Sequence, residues 1–166
     1  MRKIHLAAVA VGLAVAAVPM SAPSSAASTA MESHCLTLKN LYGRDGDLHA
    51  FRDTFCYFPL GYDEGDDPNW ADNSGGFYGS AGNNAMSILN NGIPGKYDVV
   101  AVYDYENYWS WGGYRCLGVG AWESDLSKFR FVDPNGNAKG PMARQISSHK
   151  WVTSGDCAAK SWIGLP

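Results

Sequence analysis

The sequence predicts an all-β sandwich of two Greek key units that is cross-linked by disulfides. A β-branched segment at 97–103 reads as a strand and continues into an aromatic hairpin that folds over at Gly112 and Gly113. The chain also contains 19 glycines, which are scattered among Asn and Asp residues and indicate frequent turns. Its four cysteines are an even number, as expected of a disulfide-bonded fold. Only 84–90 and 121–129 have any helical tendency, and both stretches are short.

Residues 1–30 have the composition of a secretory signal peptide. Arg2 and Lys3 give a positive start, and the apolar stretch at 6–18 is too short to span a bilayer. The length and flanks therefore argue against the alternative, a membrane anchor. We expect a secreted, extracellular protein.

Small residues near position 30 mark the expected cleavage site. We predict cleavage after Ala27, with Ala26 and Ala30 as alternatives. Residues 31–166 are then enough for one domain with its own core. Because two basic residues and no acidic ones leave with the signal peptide, the net charge changes from −3 to −5. This acidic balance argues against nucleic acid and anionic membranes as partners.

All four cysteines follow the signal peptide and indicate two disulfides in an oxidising compartment. Three pairings are possible. We expect Cys35–Cys56 and Cys116–Cys157, because the first two cysteines precede an acidic loop and the last two flank the second unit. The absence of a Cys-x-x-Cys motif argues against zinc-binding or thioredoxin-type chemistry.

An internal repeat would explain the length of the mature chain. Residues 36–46 can be placed over 103–113, which matches Asn40 with Asn107, and residues 83–88 over 143–148. The alignment needs a gap between these two matches. It predicts a first motif at about 35–92 and a second at about 97–153.

Two of these segments resemble motifs of a known family. Tyr103, Tyr108 and the glycines after them resemble the aromatic and glycine signature of βγ-crystallin motifs, and Asn83-Asn84-x-x-Ser87 is similar to their calcium motif. The run from Ser147 to Trp151 resembles small secreted bacterial (actinobacterial) proteins of peptidase inhibitor family I36. The known inhibitor of that family acts on metalloproteinases and has the βγ-crystallin fold.

The resemblance implies a set of calcium ligands, and the chain departs from it in part. The implied ligands are Asn83, Asn84, Ser87, Asp104 and Ser147. Ala143 and Arg144 replace the acidic or amide pair of the second loop, and Ile88 replaces the last serine of the first. Since calcium requires six to eight oxygens, we expect only weak binding. The alternative is that Asn83, Asn84 and Ser87 are turn residues that satisfy backbone donors.

The resemblance also implies a peptidase inhibitor, with an extracellular protease as its partner. The alternative that it implies is an extracellular calcium-binding structural or stress protein. The long polar loop at 63–76 is our prediction for the inhibitory segment, because such loops in compact domains are usually functional or disordered. The predicted partner surface is Asp63, Asp67, Trp70, Trp109 and Trp111. If Trp109 and Trp111 lie on one exposed strand face, they would also suit sugar rings, which makes a carbohydrate- or wall-binding module another alternative.

No catalytic constellation is apparent in the sequence. Asn73-Ser74-Gly75-Gly76 resembles a serine-protease nucleophile loop only faintly, and no matching histidine signature accompanies it. His34 lies near the new N-terminus, and His49 and His149 have no companion His or Cys at metal spacing. We therefore predict a monomeric non-enzyme that requires no cofactor and for which calcium is the one candidate ligand ion.

Overall fold

The computed structural model describes residues 25–164 of the chain, with side chains from His34 onward. Most of the predicted signal peptide therefore lies outside the described residues. The first element is an α-helix, α1 (Ser25–Tyr42). No helix in the described range is long and apolar enough to cross a membrane.

Ten short strands follow α1 and form two sheets. In chain order they are β1 (Leu48–Phe51), β2 (Pro59–Asp63), β3 (Ser87–Asn90), β4 (Val99–Tyr103), β5 (Tyr114–Leu117), β6 (Trp122–Glu123), β7 (Arg130–Val132), β8 (Ala138–Pro141), β9 (Ser148–Val152) and β10 (Trp162–Ile163). The first sheet has the order β2-β1-β3-β6, and the second has the order β8-β7-β5-β4-β9. All pairings are antiparallel except that of β10, which runs parallel to β5. The predicted all-β sandwich is confirmed.

The two Greek key units exchange one extended segment each. From the second unit, β6 pairs with β3 of the first sheet. From the first unit, Asp67 forms a bridge with His149 of β9, and the N–H of Trp70 donates to the carbonyl oxygen of Ser147 at 2.9 Å. Each sheet is therefore completed by the other unit, which makes the two units mutually dependent.

The main core lies between the sheets. Alternation along β4 sends Val100 and Val102 into it, where they join buried side chains that include Trp70, Phe77, Ile88, Leu117, Leu126, Phe131, Met142 and Ile146. Val99, Ala101 and Tyr103 point to the opposite face and pack against β5 and β9. The all-apolar sequence of β4 is explained by this burial on both faces.

Helix α1 covers the outer face of the first sheet. Cys35, Leu38 and Tyr42 share one side of the helix, and they pack with Phe51 and Leu89. The placement of residues 36–46 over the strand and hairpin at 103–113 was wrong, because residues 36–42 belong to a helix whose apolar side is buried against the sheet. The two stretches with helical tendency instead contain β3, β6 and a 3₁₀ turn at Leu126–Lys128.

Both predicted disulfides are present. Cys35–Cys56 joins α1 to the 3₁₀ turn after β1, and Cys116–Cys157 joins β5 to the segment after β9. No free cysteine occurs among the described residues. The pairing agrees with the expected oxidising compartment.

The internal repeat is real, but its register differs from the sequence alignment. The N–H of Met86 donates to the carbonyl of Phe51, and that of Ser147 donates to the carbonyl of Tyr103. Phe51 therefore corresponds to Tyr103, and Ser87 corresponds to Ser148 instead of Ser147. The alignment was displaced because it matched residues 36–46 with β4 and the turn after it. The true counterparts of those segments are β1 and the turn that follows β1.

Candidate functional site

A polar pocket of about 580 Å³ lies where the two units meet. Its walls come from the loop before β3, the turn after β4 and the loop before β9. The lining residues are Asn83, Asp104, Tyr105, Glu106, Trp109, Gln145 and Ser147. Three of the five predicted calcium ligands, Asn83, Asp104 and Ser147, are thus brought together.

A reciprocal pair of backbone hydrogen bonds holds the two loops against each other. The N–H of Asn83 donates to the carbonyl of Ile146, and the N–H of Arg144 donates to the carbonyl of Ala85. Asn83 and Arg144 both have left-handed backbones, with φ of 57° and 56°. This conformation suits asparagine better than arginine. The loops are therefore positioned by the backbone, independently of any ligand.

The hydroxyl of Ser147 connects three parts of the pocket. Its oxygen lies 3.0 Å from Oδ1 of Asn83 and 2.8 Å from the carbonyl oxygen of Asp104. These contacts place side-chain and backbone oxygens from both units within a few ångströms of each other. An all-oxygen donor set of this kind is the one that calcium prefers.

The carboxylate of Asp104 has no compensating charge. Among the described residues its side chain forms no hydrogen bond or ion pair, and burial raises its pKa. A partly buried carboxylate without a partner is costly to ionise. A bound cation would remove that cost.

The equivalent position in the other half has lost these donors. By the observed register, Arg144 replaces Asn83, Arg52 replaces Asp104 and Met86 replaces Ser147. The guanidinium of Arg144 lies 3.5 Å from Oδ1 of Asn84 and 3.9 Å from a carboxylate oxygen of Asp53. A positive side chain therefore stands where a second cation would lie, and the chain has one candidate oxygen site at this junction.

Asn84 and Ser87 do not line the pocket. The amide of Asn84 donates to the carbonyl of Ser80 and stabilises the turn, in agreement with the alternative that Asn84 is a turn residue. Ser87 is fully buried, where its hydroxyl donates to the carbonyl of Asp53 and accepts from the N–H of Cys56. The prediction of Ser87 as a ligand was wrong, because both hydrogen-bonding functions of its hydroxyl are used in the fold.

The predicted partner surface is divided by burial. Asp67 and Trp70 are wholly inaccessible, so the prediction that they contact a partner was wrong. They belong to the exchanged segment that completes the second sheet. Asp63 is half-buried, and its carboxylate accepts from the N–H groups of Gly65 and Gly76.

Trp109 and Trp111 are exposed, but they do not form a strand face. Both lie in the irregular turn between a 3₁₀ turn at Glu106–Tyr108 and β5. Trp109 meets Tyr105 edge to face, with ring centroids 4.9 Å apart and an interplanar angle of 74°. The expectation of a flat aromatic platform on one strand was therefore wrong, although both rings are accessible and Trp109 lines the pocket.

A second group of possible metal ligands was missed by the sequence analysis. One ligand atom each from Asp45, Asp47 and His49 lies within 4.8 Å of the others. The sequence predictions considered only His or Cys ligands near each histidine, whereas the possible ligands near His49 are aspartates. Their alternation at positions 45, 47 and 49 is the pattern by which they could have been found.

Comparison with known proteins supplies a structural likeness but no function. The chain is similar to a solved structure described under the evolution of the eye lens βγ-crystallin domain fold, with 13% identity and a TM-score of 0.46. The alignment covers 65% of this chain and 86% of that chain. No protein-family model matches the chain, and no curated protein matches it. The two-sheet, two-disulfide β fold is established by the strand pairing of the chain itself.

Proposed function

We propose that this protein is an extracellular, non-enzymatic binding protein in which one calcium ion joins the two Greek key units. The observation that carries the proposal is the meeting of Asn83 and Ser147, one from each unit, beside the unpartnered carboxylate of Asp104. Calcium bound there would contact both units at once. Its chemical role would be to neutralise Asp104 and to link loops that are distant in sequence.

The residues present fit a hard cation of modest affinity. Asn83, Asp104 and Ser147 offer side-chain oxygens, and backbone carbonyls and water would complete the six to eight ligands that calcium takes. Only one of these three groups carries a charge. Extracellular modules with few charged ligands bind calcium at roughly 10⁻⁴ to 10⁻³ M, and we expect that range here.

Calcium binding should stabilise the fold by linkage. A ligand that binds only the folded state adds about 2.7 kcal/mol at a concentration one hundred times its dissociation constant. Because the site needs both units, the unfolded chain cannot form it. We therefore expect the melting temperature to rise with calcium in the millimolar range.

The experiment is a calcium titration of the disulfide-bonded protein, followed by calorimetry and thermal unfolding. We expect one ion per chain, and loss of the thermal shift in Asp104→Asn and Ser147→Ala. Asp72→Asn is the matched control, because Asp72 is exposed and its Oδ1 accepts only from the N–H of Ser74. An unchanged melting temperature, or an equal shift in the pocket variants, would contradict the proposal.

A second candidate function is peptidase inhibition of the family I36 type, which one feature of the loop at 63–76 favours. Its tip, residues 71–75, is exposed, while Trp70 and Phe77 on either side are buried and stacked at 4.1 Å. A short exposed loop on a fixed base loses little entropy when it enters a protease cleft.

Residual-activity titrations test inhibition directly. The protein should be titrated against secreted metallo-, serine and cysteine proteases, together with a variant in which residues 71–75 are replaced by Gly and Ser. Inhibition would be supported if the parent protein abolished a protease's activity saturably at a stoichiometry near one to one, and if the loop variant did not. Cleavage of the protein, or full protease activity throughout, would exclude it for that panel.

A further inference from the structure

We propose that Asp45, Asp47 and His49 form a binding site for a divalent transition-metal ion, represented by Zn²⁺. One ligand atom from each of these residues lies within 4.8 Å of the other two. The site is separate from the calcium pocket and does not depend on the proposed function.

The backbone presents all three side chains to one place. Gly46, with φ of 97°, allows the turn between the two aspartates. The segment is then fixed to the loop after β3, because the N–H of Gly46 donates to the carbonyl of Asn91 and the N–H of Asn91 donates to the carbonyl of Asp47. His49 follows within β1. The three ligands are therefore held by an anchored segment.

His49 is held in a fixed orientation. It is 6% exposed, and its ring stacks on Tyr42 of α1 with centroids 4.5 Å apart and an interplanar angle of 12°. Its Nε2 lies 2.9 Å from Oδ2 of Asp45, and a metal ion bound by these two atoms would displace the proton that they share. The other oxygen of Asp45 accepts from the N–H of Asp47 at 3.1 Å. The stacking on Tyr42 and this backbone bond fix the directions in which the ligand atoms point.

No described lysine or arginine neutralises the two aspartates, and the ion pair that Asp45 forms is with His49 when that imidazole is protonated. Among the described ion pairs, none joins Asp45 or Asp47 to a lysine or arginine. The cleft beside Asp45 is lined by two further acids, Glu64 and Asp66, with Lys150 as its single cation. A divalent ion would offset this excess of negative charge.

The donor set distinguishes this site from the calcium pocket. One imidazole nitrogen with two carboxylate oxygens suits zinc and its neighbours, whereas calcium binds oxygen alone. Bonds of about 2.0 Å in a tetrahedral site require ligand atoms about 3.3 Å apart, so the half-exposed aspartates would move slightly inward. The fourth position would be left for water or a ligand in the adjoining cavity of about 310 Å³, which Tyr42, Phe51 and Tyr62 also line.

Zinc titration by calorimetry, with calcium as the comparison ion, tests the proposal. We expect one zinc equivalent with an affinity that excess calcium does not reduce. Asp45→Asn and Asp47→Asn should each weaken zinc binding about tenfold or more, since even outer-shell changes at metal sites cost 10- to 100-fold. Asp72→Asn should bind as the parent protein does.

Two further measurements exclude binding at another histidine. Zinc should shift the imidazole NMR signals of His49 and leave those of His34 and His149 in place, and His34→Gln should bind normally. His49→Gln is informative only if circular dichroism shows it folded, which is why the aspartate variants carry the test. Zinc affinity unchanged in both aspartate variants, or equal competition by calcium, would overturn the proposal.

Discussion

The indole N–H of Trp70 donates a 2.8 Å hydrogen bond to Nδ1 of His149 in the core of the sandwich. Nε2 of the same ring lies 2.8 Å from the carbonyl oxygen of Gly65, so this nitrogen must carry the proton. A neutral imidazole satisfies both contacts, whereas a protonated one would lose the bond from Trp70. Burial lowers the pKa of His149 to about 4, although Asp63 and the Gly65 carbonyl oppose the shift.

The stability of the fold should therefore fall with acidification between about pH 6.5 and pH 4. Above 6.5, His149 is neutral in both states. Below it, the unfolded chain takes up a proton that the folded chain resists, until the pH reaches the folded pKa of about 4. The loss amounts to roughly 1.4 kcal/mol per pH unit for one such group.

Denaturant unfolding at pH 7, 5.5 and 4.5, compared between the parent and His149→Gln, measures that contribution. The parent should lose more stability than the variant across this window. The imidazole signals of His149 should not titrate above pH 5 in the folded protein. Titration of His149 near pH 6.5 would show that the ring is not held neutral as described.

At pH 7, Asp67→Asn should be as stable as the parent protein, or more stable by about 1 kcal/mol. Oδ2 of Asp67 is buried without a hydrogen bond of normal geometry, and burial raises the pKa of this carboxyl. Asparagine keeps the acceptor for the N–H of Asn69 and removes the buried charge.

Asp67→Ala provides the contrast for this prediction. It removes the acceptor for Asn69 as well as the charge, and we expect it to cost about 1–3 kcal/mol. Urea unfolding at pH 7 compares the two variants. Equal and large destabilisation by both would mean that the charge itself stabilises the folded state.

Ser148→Ala should destabilise the protein by about 1–3 kcal/mol, because it leaves two partly buried backbone groups without partners. The hydroxyl of Ser148 donates to the carbonyl of Tyr105 and accepts from the N–H of Tyr108. Ser87→Ala should behave alike, since Ser87 makes the same two contacts in the first unit. Thermal unfolding of both variants in the absence of calcium checks that the two serines are equivalent. Ser147→Ala serves as the comparison, and we expect it to lower the melting temperature less.

Gly76→Ala should be severely destabilising, by at least about 3 kcal/mol. A Cβ at this position would lie 1.8 Å from the carbonyl oxygen of Tyr62, a backbone atom that cannot move without disturbing β2. Gly95→Ala is the control, since the nearest atom to its Cβ would be 3.9 Å away. Near-equal melting temperatures for the two variants would show that the loop after β2 can shift freely.

Strand segments and disulfides were the parts of the fold that local sequence could predict. The β-branched run of β4 and the glycine-rich turns are signals that each segment carries by itself. The cysteine pairs were also predicted correctly. Helix α1 was missed because its apolar side, with Cys35 and Tyr42, gains its meaning only from the sheet face that it covers.

By itself, then, the sequence determined a disulfide-bonded β sandwich with two related halves, because alternation, turn residues and cysteine count are local properties. Only the tertiary structure decided the register of the repeat, the burial of Asp67 and Trp70, and the meeting of Asn83 with Ser147. Asn83 and Ser147 are 64 residues apart in sequence. Such contacts depend on how the two sheets exchange segments, which no local pattern specifies.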